Sequence, residues 1–509
     1  MSPASTLRRR DARAKCVCGP AGAMLGDAGG NAAMLPNRLE PMTIRTLVLL
    51  LLTLPAFAQA PNDPFPKAIP AAEGVITVKF LEFASIPAAA GQAAPARPML
   101  LLDESGTKRL FINDMVGPLY AVSYDGKTVK EYLDTNAPKW GVKVQSNGAE
   151  RGFQSFAFHP QFSRRGTPGY GKFYTIVDSS NTTPTPDFKP SGGNHTHDSV
   201  LFEWTAKDAA STTYDGEAPR ELIRFEQPFA NHNCGHLTFN PLATNRSADF
   251  GLLYIGFADG GSGGDPMKHA QNLNSAFGKI LRIDPLGKNS ANGKYGIPVS
   301  NPFANDGDDK TLGEIYAYGV RNPQRLFWDK KNRNMFMSDI GQNIVEEISP
   351  VTSGANLGWN IWEGSYRFIS GSAVNLENPG SDPKMTYPVV EYGQLDPLFQ
   401  PSSAAIGGLV YRANKIKQLS NLLLFGDNPS GEMFYVSADT LPKGGQDAMR
   451  RVLLDDKGTS KNLLKLIQEK NVEQGKPASA RADLRFGEDA AGNIYILNKR
   501  DGVVRKLVP

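Results

Sequence analysis

Two short segments of this chain place ionisable and amide side chains beside turns, where strand-rich proteins often carry their chemistry. His232 lies between two asparagines in NHNCGHLTFNP (231–241), and Arg321 and Asn322 precede a proline in YGVRNPQRLFWD (318–329). An imidazole can act as a general base near neutral pH, and a guanidinium can stabilise a developing anionic oxygen. Spacing alone leaves structural roles open, namely a hydrogen-bonded histidine for His232 and a salt bridge between sheets for Arg321.

Glycine-rich turns accompany these residues. Asp259 heads the turn in LLYIGFADGGSGGDP (252–266), where glycines expose backbone amides and carbonyls to ions and ligands. DIGQNIVEE (339–347) combines carboxylates with Gly341, a pattern that suits a hard cation such as calcium. The chain contains no phosphate-binding loop, no dinucleotide-binding glycine motif, no GxSxG elbow and no HExxH.

The segments that must position these residues are short β-type runs. Six of them resemble one another: apolar or alternating residues lead to Asp or Asn, then to a turn that usually contains Gly. These six segments are 109–126, 171–180, 250–261, 334–349, 422–439 and 493–509. This turn chemistry predicts antiparallel hairpins. Six sheet-like units over most of the chain predict an all-β protein, a six-bladed β-propeller, whose radial sheets leave few free edges. A pair of β-sandwiches is the alternative.

Interruptions of this pattern predict segments that lie outside the sheets. Three long segments, 178–199, 286–312 and 364–401, are expected to be insertions between strands. The stripe formed by Leu463, Leu464, Leu466 and Ile467 predicts a helix around 461–470.

The N-terminal region has the features of an export signal. Residues 42–60 read MTIRTLVLLLLTLPAFAQA, with one arginine, an apolar run and a small-residue cleavage site, which predicts a signal peptide over 42–58. A membrane anchor is the alternative, but the run is shorter than the about 20 residues needed to span a bilayer. We therefore expect a leader or wrongly assigned start over 1–41, a flexible mature terminus over 59–74, the propeller over 75–509, and a periplasmic or secreted location.

The net positive charge of the chain comes from residues 1–58. Residues 1–58 hold seven Lys/Arg and three Asp/Glu, and the remainder holds 48 of each. A near-neutral mature protein gives no indication of binding to nucleic acid or to anionic membranes. Cys234 is the one cysteine after the leader, so no intramolecular disulfide is expected.

Seven segments, taken in chain order between about Val75 and Pro509, resemble the glucose/sorbosone dehydrogenase family. They are ERGFQSFAFHPQF (150–162), NHNCGHLTFNP (231–241), AQNLNSAFGKILRID (270–284), YGVRNPQRLFWD (318–329), SDIGQNIVEEI (338–348), GANLGWNIWEG (354–364) and AIGGLVYRANKIKQLSNLLLFGD (405–427).

The resemblance implies an exported six-bladed propeller that holds pyrroloquinoline quinone (PQQ) with calcium over its central channel. It implies oxidation of the anomeric hydroxyl of an aldose to the lactone, with electrons passed on to an external acceptor, a cytochrome or a quinone. By the same resemblance, His232 takes the proton, Asp259 lies near substrate and base, and Arg321 polarises the quinone carbonyl.

The resemblance also implies a set of binding residues. Those expected at the cofactor are Arg321 with Glu150, Asn322, Arg412 and Lys415, and those expected at calcium are Gly341, Gln342 and Glu347.

The chain departs from the family pattern in three places. Cys234 and His236 replace a glycine and an arginine, and Glu150 replaces a glutamine of the glucose enzymes. Ser430 and Glu432 stand where the family has a late basic cluster, and a buried Glu432 beside a tricarboxylate would be unfavourable.

Two other functions are compatible with the same motifs. One is a non-catalytic propeller of this family that binds a carbohydrate or a protein partner. The other is a lactonase that would reuse the calcium and the histidine. Fold alone does not distinguish these functions, and the oligomeric state stays open.

Overall fold

The computed structural model describes residues 62–148 and 150–509. The predicted leader (1–41) and signal peptide (42–58) lie outside the described residues. Within these two ranges, no helix is long and apolar enough to cross a membrane.

Strands dominate the described part of the chain. In chain order they are β1 (Ile76–Ser85), β2 (Pro98–Glu104), β3 (Arg109–Asp114), β4 (Pro118–Val122), β5 (Val129–Asp134), β6 (Phe153–Phe158), β7 (Lys172–Ser179), β8 (His197–Thr205), β9 (Arg220–Gln227), β10 (Cys234–Phe239), β11 (Leu253–Phe257), β12 (Lys279–Ile283), β13 (Ile315–Tyr318), β14 (Pro323–Trp328), β15 (Met335–Asp339), β16 (Val345–Val351), β17 (Trp362–Glu363), β18 (Tyr366–Ser370), β19 (Ala373–Asn375), β20 (Val390–Gly393), β21 (Ala405–Tyr411), β22 (Leu422–Asp427), β23 (Met433–Ser437), β24 (Arg450–Asp456), β25 (Thr459–Lys461), β26 (Arg485–Glu488), β27 (Ile494–Leu497) and β28 (Val503–Val508).

Helical structure is sparse in the same residues. The α-helix α1 (Leu463–Glu473) begins after Asn462, whose side chain accepts a hydrogen bond from the Lys465 amide at 3.0 Å. Leu463, Leu466 and Ile467 are buried, so the predicted helix is confirmed. Short 3₁₀ helices cover Pro138–Trp140, Pro397–Phe399 and Lys417–Leu419.

Most of the strands form six antiparallel groups of four. Three are separate sheets: group 2 (β6–β9), group 3 (β10–β13) and group 4 (β14, β15, β16 and β20). The other three belong to a 13-stranded sheet, in which group 5 (β21–β24), group 6 (β1, β28, β27 and β26) and group 1 (β2–β5) meet at the parallel pairs β24–β1 and β26–β2. Strands β17–β19 form a small separate sheet, and β25 pairs with β24.

The six similar sequence segments supply inner strands in every group, both of them in four groups and one of them in groups 2 and 3. Four of them are hairpins, β3–β4, β15–β16, β22–β23 and β27–β28, as their turn residues predict. The hairpin prediction is wrong for 171–180 and 250–261, which each contribute one strand followed by a long connection. These connections carry the 180–196 loop and the glycine-rich turn after Phe257.

Buried apolar side chains fill the spaces between neighbouring groups. Phe111 of group 1 and Trp204 of group 2 share one cluster, and Phe327 of group 4 and Phe425 of group 5 share another. Since both faces of a group are covered, inner strands such as β4 (PLYAV) and β11 (LYIGF) are buried along their whole length. The sequence therefore shows continuous apolar runs at these strands.

The first and last strands of the described chain meet in group 6. Strand β1 pairs with β28, with Lys79 opposite Val508 and Phe80 opposite Leu507. The segment before β1, predicted to be flexible, packs on the sheets: Ile69 is buried and its amide donates to Asp396 Oδ2 at 2.7 Å.

Candidate functional site

The first strands of the groups bring several predicted residues to one end of the molecule. The first strand of each group contacts the first strand of the next group, and the last of them, β26, contacts β2. In order, these first strands are β2, β6, β10, β14, β21 and β26. His232 and Arg321 lie directly before β10 and β14, and Glu150 lies shortly before β6. We call this end, where the first strands begin, the rim.

His232 is held in a fixed orientation at the rim. Its backbone adopts φ 55°, an uncommon left-handed conformation for a non-glycine residue, and its amide donates to Glu150 Oε2 at 2.8 Å. The side chain is buried, and its Nδ1 lies 2.7 Å from Asp259 Oδ1. Because a carboxylate only accepts, Nδ1 carries the proton and Nε2 is left as the acceptor of the ring.

Asp259 accepts three hydrogen bonds and is almost fully buried. Besides His232, the Trp359 Nε1–H donates to Oδ2 at 2.9 Å and the Gly261 amide donates to Oδ1 at 2.9 Å. Burial raises the pKa of Asp259, but His232, Arg321 and the Gly261 amide outweigh burial and leave the pKa below its usual value. Asp259 is therefore a carboxylate at neutral pH.

Arg321 lies close to the same tryptophan. Its guanidinium is 5.6 Å from the Trp359 ring centroid, and it donates from Nη1 to the Ile340 carbonyl at 2.9 Å and from Nε to Gln342 Oε1 at 3.3 Å. The Arg321 carbonyl accepts the Asp259 amide at 2.9 Å. Trp359 therefore contacts both Asp259 and Arg321. The segment GANLGWNIWEG includes Trp359, but the sequence did not predict this role.

Asp339 anchors the backbone before β14. Its two carboxylate oxygens accept the amides of Arg321 and Asn322 at 2.8 and 2.6 Å. Burial raises the pKa of Asp339 to about 6, although these amides and the Arg321 charge act in the opposite direction. The carboxylate fixes the direction in which Arg321 and Asn322 leave the strand.

The three residues predicted at calcium all belong to the β15–β16 hairpin. Gly341 and Gln342 follow β15 beside Arg321, and no hydrogen bond among the described residues ends on either main-chain carbonyl. Glu347 lies within β16, opposite Asp339 and Glu391, and one of its oxygens has no hydrogen-bond partner. Burial and these like charges raise the pKa of Glu347 well above its usual value. Within the described residues, no cluster of three or more acidic, His or Cys side chains is arranged to hold a metal ion.

Arg412 and Lys415 lie at the opposite strand ends, which corrects their predicted role at the cofactor. Arg412 forms a bidentate pair with Asp329 at 2.7 and 2.6 Å, and Asp329 follows β14, whereas Arg321 precedes it. The six residues of β14 separate the two arginines by about 20 Å at 3.3 Å per residue. Lys415 donates to Asn493 at 3.0 Å, after β26.

The residues that depart from the family pattern pack against or pair with neighbouring residues. Glu432 receives both Nε and Nη2 of Arg451 at 2.9 Å, so the unfavourable carboxylate expected there is neutralised. Ser430 donates to Asp427 at 2.5 Å. His236 accepts the Leu326 amide at 3.1 Å, and Cys234 is buried, so both are packing residues in β10.

Sequence reasoning missed a second group of cations on the rim. Arg97 precedes β2, Arg481 precedes β26, Arg485 is the first residue of β26, and Lys499 and Arg500 follow β27. They come from separate parts of the chain and share no motif, so no local signal could have identified them.

The family model described as Glucose / Sorbosone dehydrogenase matches residues 99–443. The HIPL2 protein of Arabidopsis thaliana is 30% identical over 342 residues, which are 61% of this chain and 47% of that protein. Human Hedgehog-interacting protein is 26% identical over 402 residues, 77% of this chain and 47% of that protein. The chain therefore spans about half the length of these curated relatives.

Solved structures share the fold. The PQQ-bound aldose sugar dehydrogenase of Streptomyces coelicolor has a TM-score of 0.52 at 18% identity, over 85% of this chain and 98% of that one. The soluble aldose sugar dehydrogenase of Escherichia coli has a TM-score of 0.52 at 16% identity, over 85% and 97%. At these identities the likeness concerns the fold alone.

Proposed function

The chain belongs to the glucose/sorbosone dehydrogenase family, and on this premise we propose that it is a PQQ-dependent sugar dehydrogenase. It oxidises the anomeric hydroxyl of an aldose to the lactone and passes the electrons to an external cytochrome or quinone. The observation that carries the proposal is the 2.7 Å contact between His232 and Asp259, beside Arg321 on one rim.

The proposed architecture is a six-bladed β-propeller, with each group of four strands as one blade. The contacts that run around the first strands, from β2 through β26 and back to β2, support this count. The pairing of β1 with β28 supports closure of the last blade by the N-terminal strand.

His232 is the proposed base. Its Nε2 takes the proton of the anomeric hydroxyl, because Nδ1–H is already donated to Asp259. The Asp259 carboxylate then balances the positive charge of the imidazolium. Trp359 covers the second oxygen of Asp259, which keeps water from that oxygen.

Arg321 is the proposed electrostatic partner of the base. Its guanidinium is oriented by Ile340 and Gln342 and lies against the Trp359 ring, so it can bind an anionic oxygen without reorganising. When bound, PQQ supplies the electrophilic quinone that accepts a hydride from the anomeric carbon. Asn322 and Glu150 border the same place and are proposed cofactor contacts.

The residues on the rim fit such a cofactor. PQQ carries three carboxylates, and the rim presents Arg321 on one side and further cations on the other. The carbonyls of Gly341 and Gln342 are the proposed calcium ligands near the cofactor, and Glu347 is a proposed ligand of a structural calcium. Export through the predicted signal peptide would place the protein in the periplasm or outside the cell.

Reconstitution tests the proposal directly. Purified protein is incubated with PQQ and calcium, and dye reduction is followed with several aldoses. We expect turnover that needs PQQ, and that falls by about 10²–10⁴ in His232→Ala, the range of general base catalysis. His159→Asn is the matched control, since His159 is equally buried but lies after β6, at the other strand end. Absence of PQQ-dependent turnover in the wild type would refute the proposal.

A second candidate is a binding protein without quinone chemistry. The observation in its favour is the match to Hedgehog-interacting protein, whose name describes binding to another protein and which aligns with 77% of this chain. The same reconstitution separates the two functions, because a binding protein of this kind would show neither PQQ binding nor turnover with any aldose.

A further inference from the structure

A buried histidine of group 2, His197, contacts the turn that carries His232. It is the first residue of β8, which begins at the rim because β7, antiparallel to β6, ends there; Ser179 of β7 pairs with Asp198 of β8. The His197 side chain is fully buried, and its Nε2 lies 3.1 Å from Asn233 Oδ1. Asn233 follows His232 in the chain, so His197 touches the residue next to the proposed base.

The hydrogen bonds of Asn233 determine which atom of this contact carries the proton. Asn233 Nδ2 donates to the Glu150 carbonyl at 3.0 Å, so the acceptor Oδ1 faces His197. His197 must then donate, and its proton is on Nε2. Its Nδ1 lies 2.8 Å from Thr196 Oγ1, whose hydroxyl can donate to it. Reversing the Asn233 amide would set its oxygen against the Glu150 carbonyl and its NH₂ group against the Nε2 proton.

A buried carboxylate near His197 does not take this proton. Asp178 Oδ1 is 3.7 Å from His197 Nε2, which is too long for a hydrogen bond. The same oxygen accepts from Ser199 Oγ at 2.5 Å, and Oδ2 accepts the Gly152 amide at 3.0 Å. The Nε2 proton is therefore directed at Asn233.

Asn233 links both members of the proposed catalytic pair. Its side chain holds the Glu150 backbone, and Glu150 Oε2 accepts the His232 amide at 2.8 Å. Its main-chain carbonyl accepts the Ala258 amide at 3.0 Å, one residue before Asp259. One asparagine therefore connects the turn of His232 to the turn of Asp259.

The turn at His232 needs such support because its backbone is strained. A non-glycine residue at φ 55° persists where the surrounding contacts determine it. Among the described residues, His197 is the one donor to Asn233 Oδ1. Without that donor, the buried oxygen would lose its partner, and rotation of the amide to find another would release the Glu150 backbone.

We infer that His197 is a positioning residue for the proposed base. Its Nε2–H orients the Asn233 amide, and that amide keeps the His232 turn in the geometry in which Nδ1–H points at Asp259. The effect on turnover rests on the proposed function. The effect on the His232 proton rests on the hydrogen bonds alone.

Two substitutions separate the hydrogen bond of His197 from its volume. His197→Phe keeps a ring and removes the donor, whereas His197→Gln restores an NH₂ donor near the place of Nε2. His159→Phe is the matched control, because His159 is a buried histidine at the other strand end that accepts one amide hydrogen bond, from Gln161. If His197→Phe does not fold, the smaller His197→Leu replaces it.

The first readout is the Nδ1–H proton of His232 in the cofactor-free protein, labelled with ¹⁵N-histidine. At 2.7 Å from Asp259 Oδ1, this nitrogen should give a proton resonance far downfield that exchanges slowly with water. The chain has six histidines, and loss of the resonance in His232→Gln assigns it. We expect the resonance to move upfield and to exchange about tenfold faster in His197→Phe. It should return in His197→Gln and stay unchanged in His159→Phe.

The second readout is steady-state turnover of the PQQ-loaded protein. We expect kcat to fall by about ten- to a hundredfold in His197→Phe, as for loss of one buried hydrogen bond. KM for the aldose and the Kd for PQQ should change by less than about twofold, because the base acts in the transition state rather than in binding. His197→Gln should recover most of kcat.

The other outcomes are distinct. An unchanged resonance or an unchanged kcat in His197→Phe overturns the inference. Failure of His197→Gln to restore both also overturns it, since ring volume rather than the donor would then hold the turn. If the wild type shows no PQQ-dependent turnover, the proposed function fails; a resonance that shifts in His197→Phe and returns in His197→Gln would still support the positioning of His232 by His197.

Discussion

Replacing Asp259 with asparagine changes one atom type in the pair that we propose to be catalytic. In the wild type, Oδ1 accepts from His232 and from the Gly261 amide, and Oδ2 accepts from Trp359. Asparagine must direct its NH₂ group at one of these donors. If the NH₂ group faces His232, the imidazole proton moves to Nε2 and the base is lost; if it faces Trp359, two donors oppose each other.

The expected magnitude follows from these two losses. A hydrogen bond to a charged group contributes about 1.5–3 kcal/mol, and a buried group left without a partner costs about 1–3 kcal/mol. Together they reach roughly 3–5 kcal/mol, which is about 10²–10⁴ in rate at 1.36 kcal/mol per factor of ten. The geometry around His232 should otherwise persist, because asparagine has the same shape as aspartate.

The assay is turnover of the PQQ-loaded protein with a saturating aldose, from about pH 5 to about pH 8. The pKa of Asp259 is already below its usual value, so wild-type turnover should show no loss from its protonation in that range. Asp265→Asn is the matched control: Asp265 is buried in the same connection, and among the described residues its carboxylate accepts the amides of His269 and Ala270 alone. If Asp259→Asn loses no more activity than Asp265→Asn, the proposed role of the pair is wrong.

Three further predictions follow from single contacts. Burial and the charges of Asp339 and Glu391 raise the pKa of Glu347, so the folded protein keeps a proton that the unfolded chain releases, and stability falls as pH rises from about 4. In EDTA, the melting temperature of Glu347→Gln should therefore exceed that of the wild type by more at about pH 8 than at about pH 5. Equal differences at the two pH values would contradict this prediction. Arg412→Gln should leave PQQ affinity unchanged. It should lower the free energy of unfolding in urea by about 1–3 kcal/mol, because buried Asp329 loses its partner. Weaker PQQ binding by this variant would restore the predicted role of Arg412 at the cofactor. Trp359→Phe should lower turnover by about tenfold through loss of the bond to Asp259, and an unchanged rate would show that this bond is dispensable.

Local patterns were sufficient for most of the strands and turns. The Asp, Asn and Gly residues between apolar runs correctly predicted four hairpins, and the Leu463–Ile467 stripe correctly predicted α1. The hairpin prediction was wrong at 171–180 and 250–261, because a turn-forming residue after a strand begins a tight turn and a long connection alike. The connection after 250–261 contains Asp259, so the difference matters for the site.

The sequence by itself determined the β class, the inner strand pairs of four groups and the identity of His232, Asp259 and Arg321 as candidate site residues. These features depend on neighbours within a few residues or on motifs in a fixed order. Only the tertiary structure decided which end of a strand faces the site: it separated Arg412 from Arg321 by the length of β14, neutralised Glu432 with Arg451, and brought Arg97 to the end of the sheet where Arg485 lies. The physical reason is that charge acts through space. The pairing of β26 with β2 makes neighbours of residues from opposite ends of the chain, and no local pattern contains that pairing.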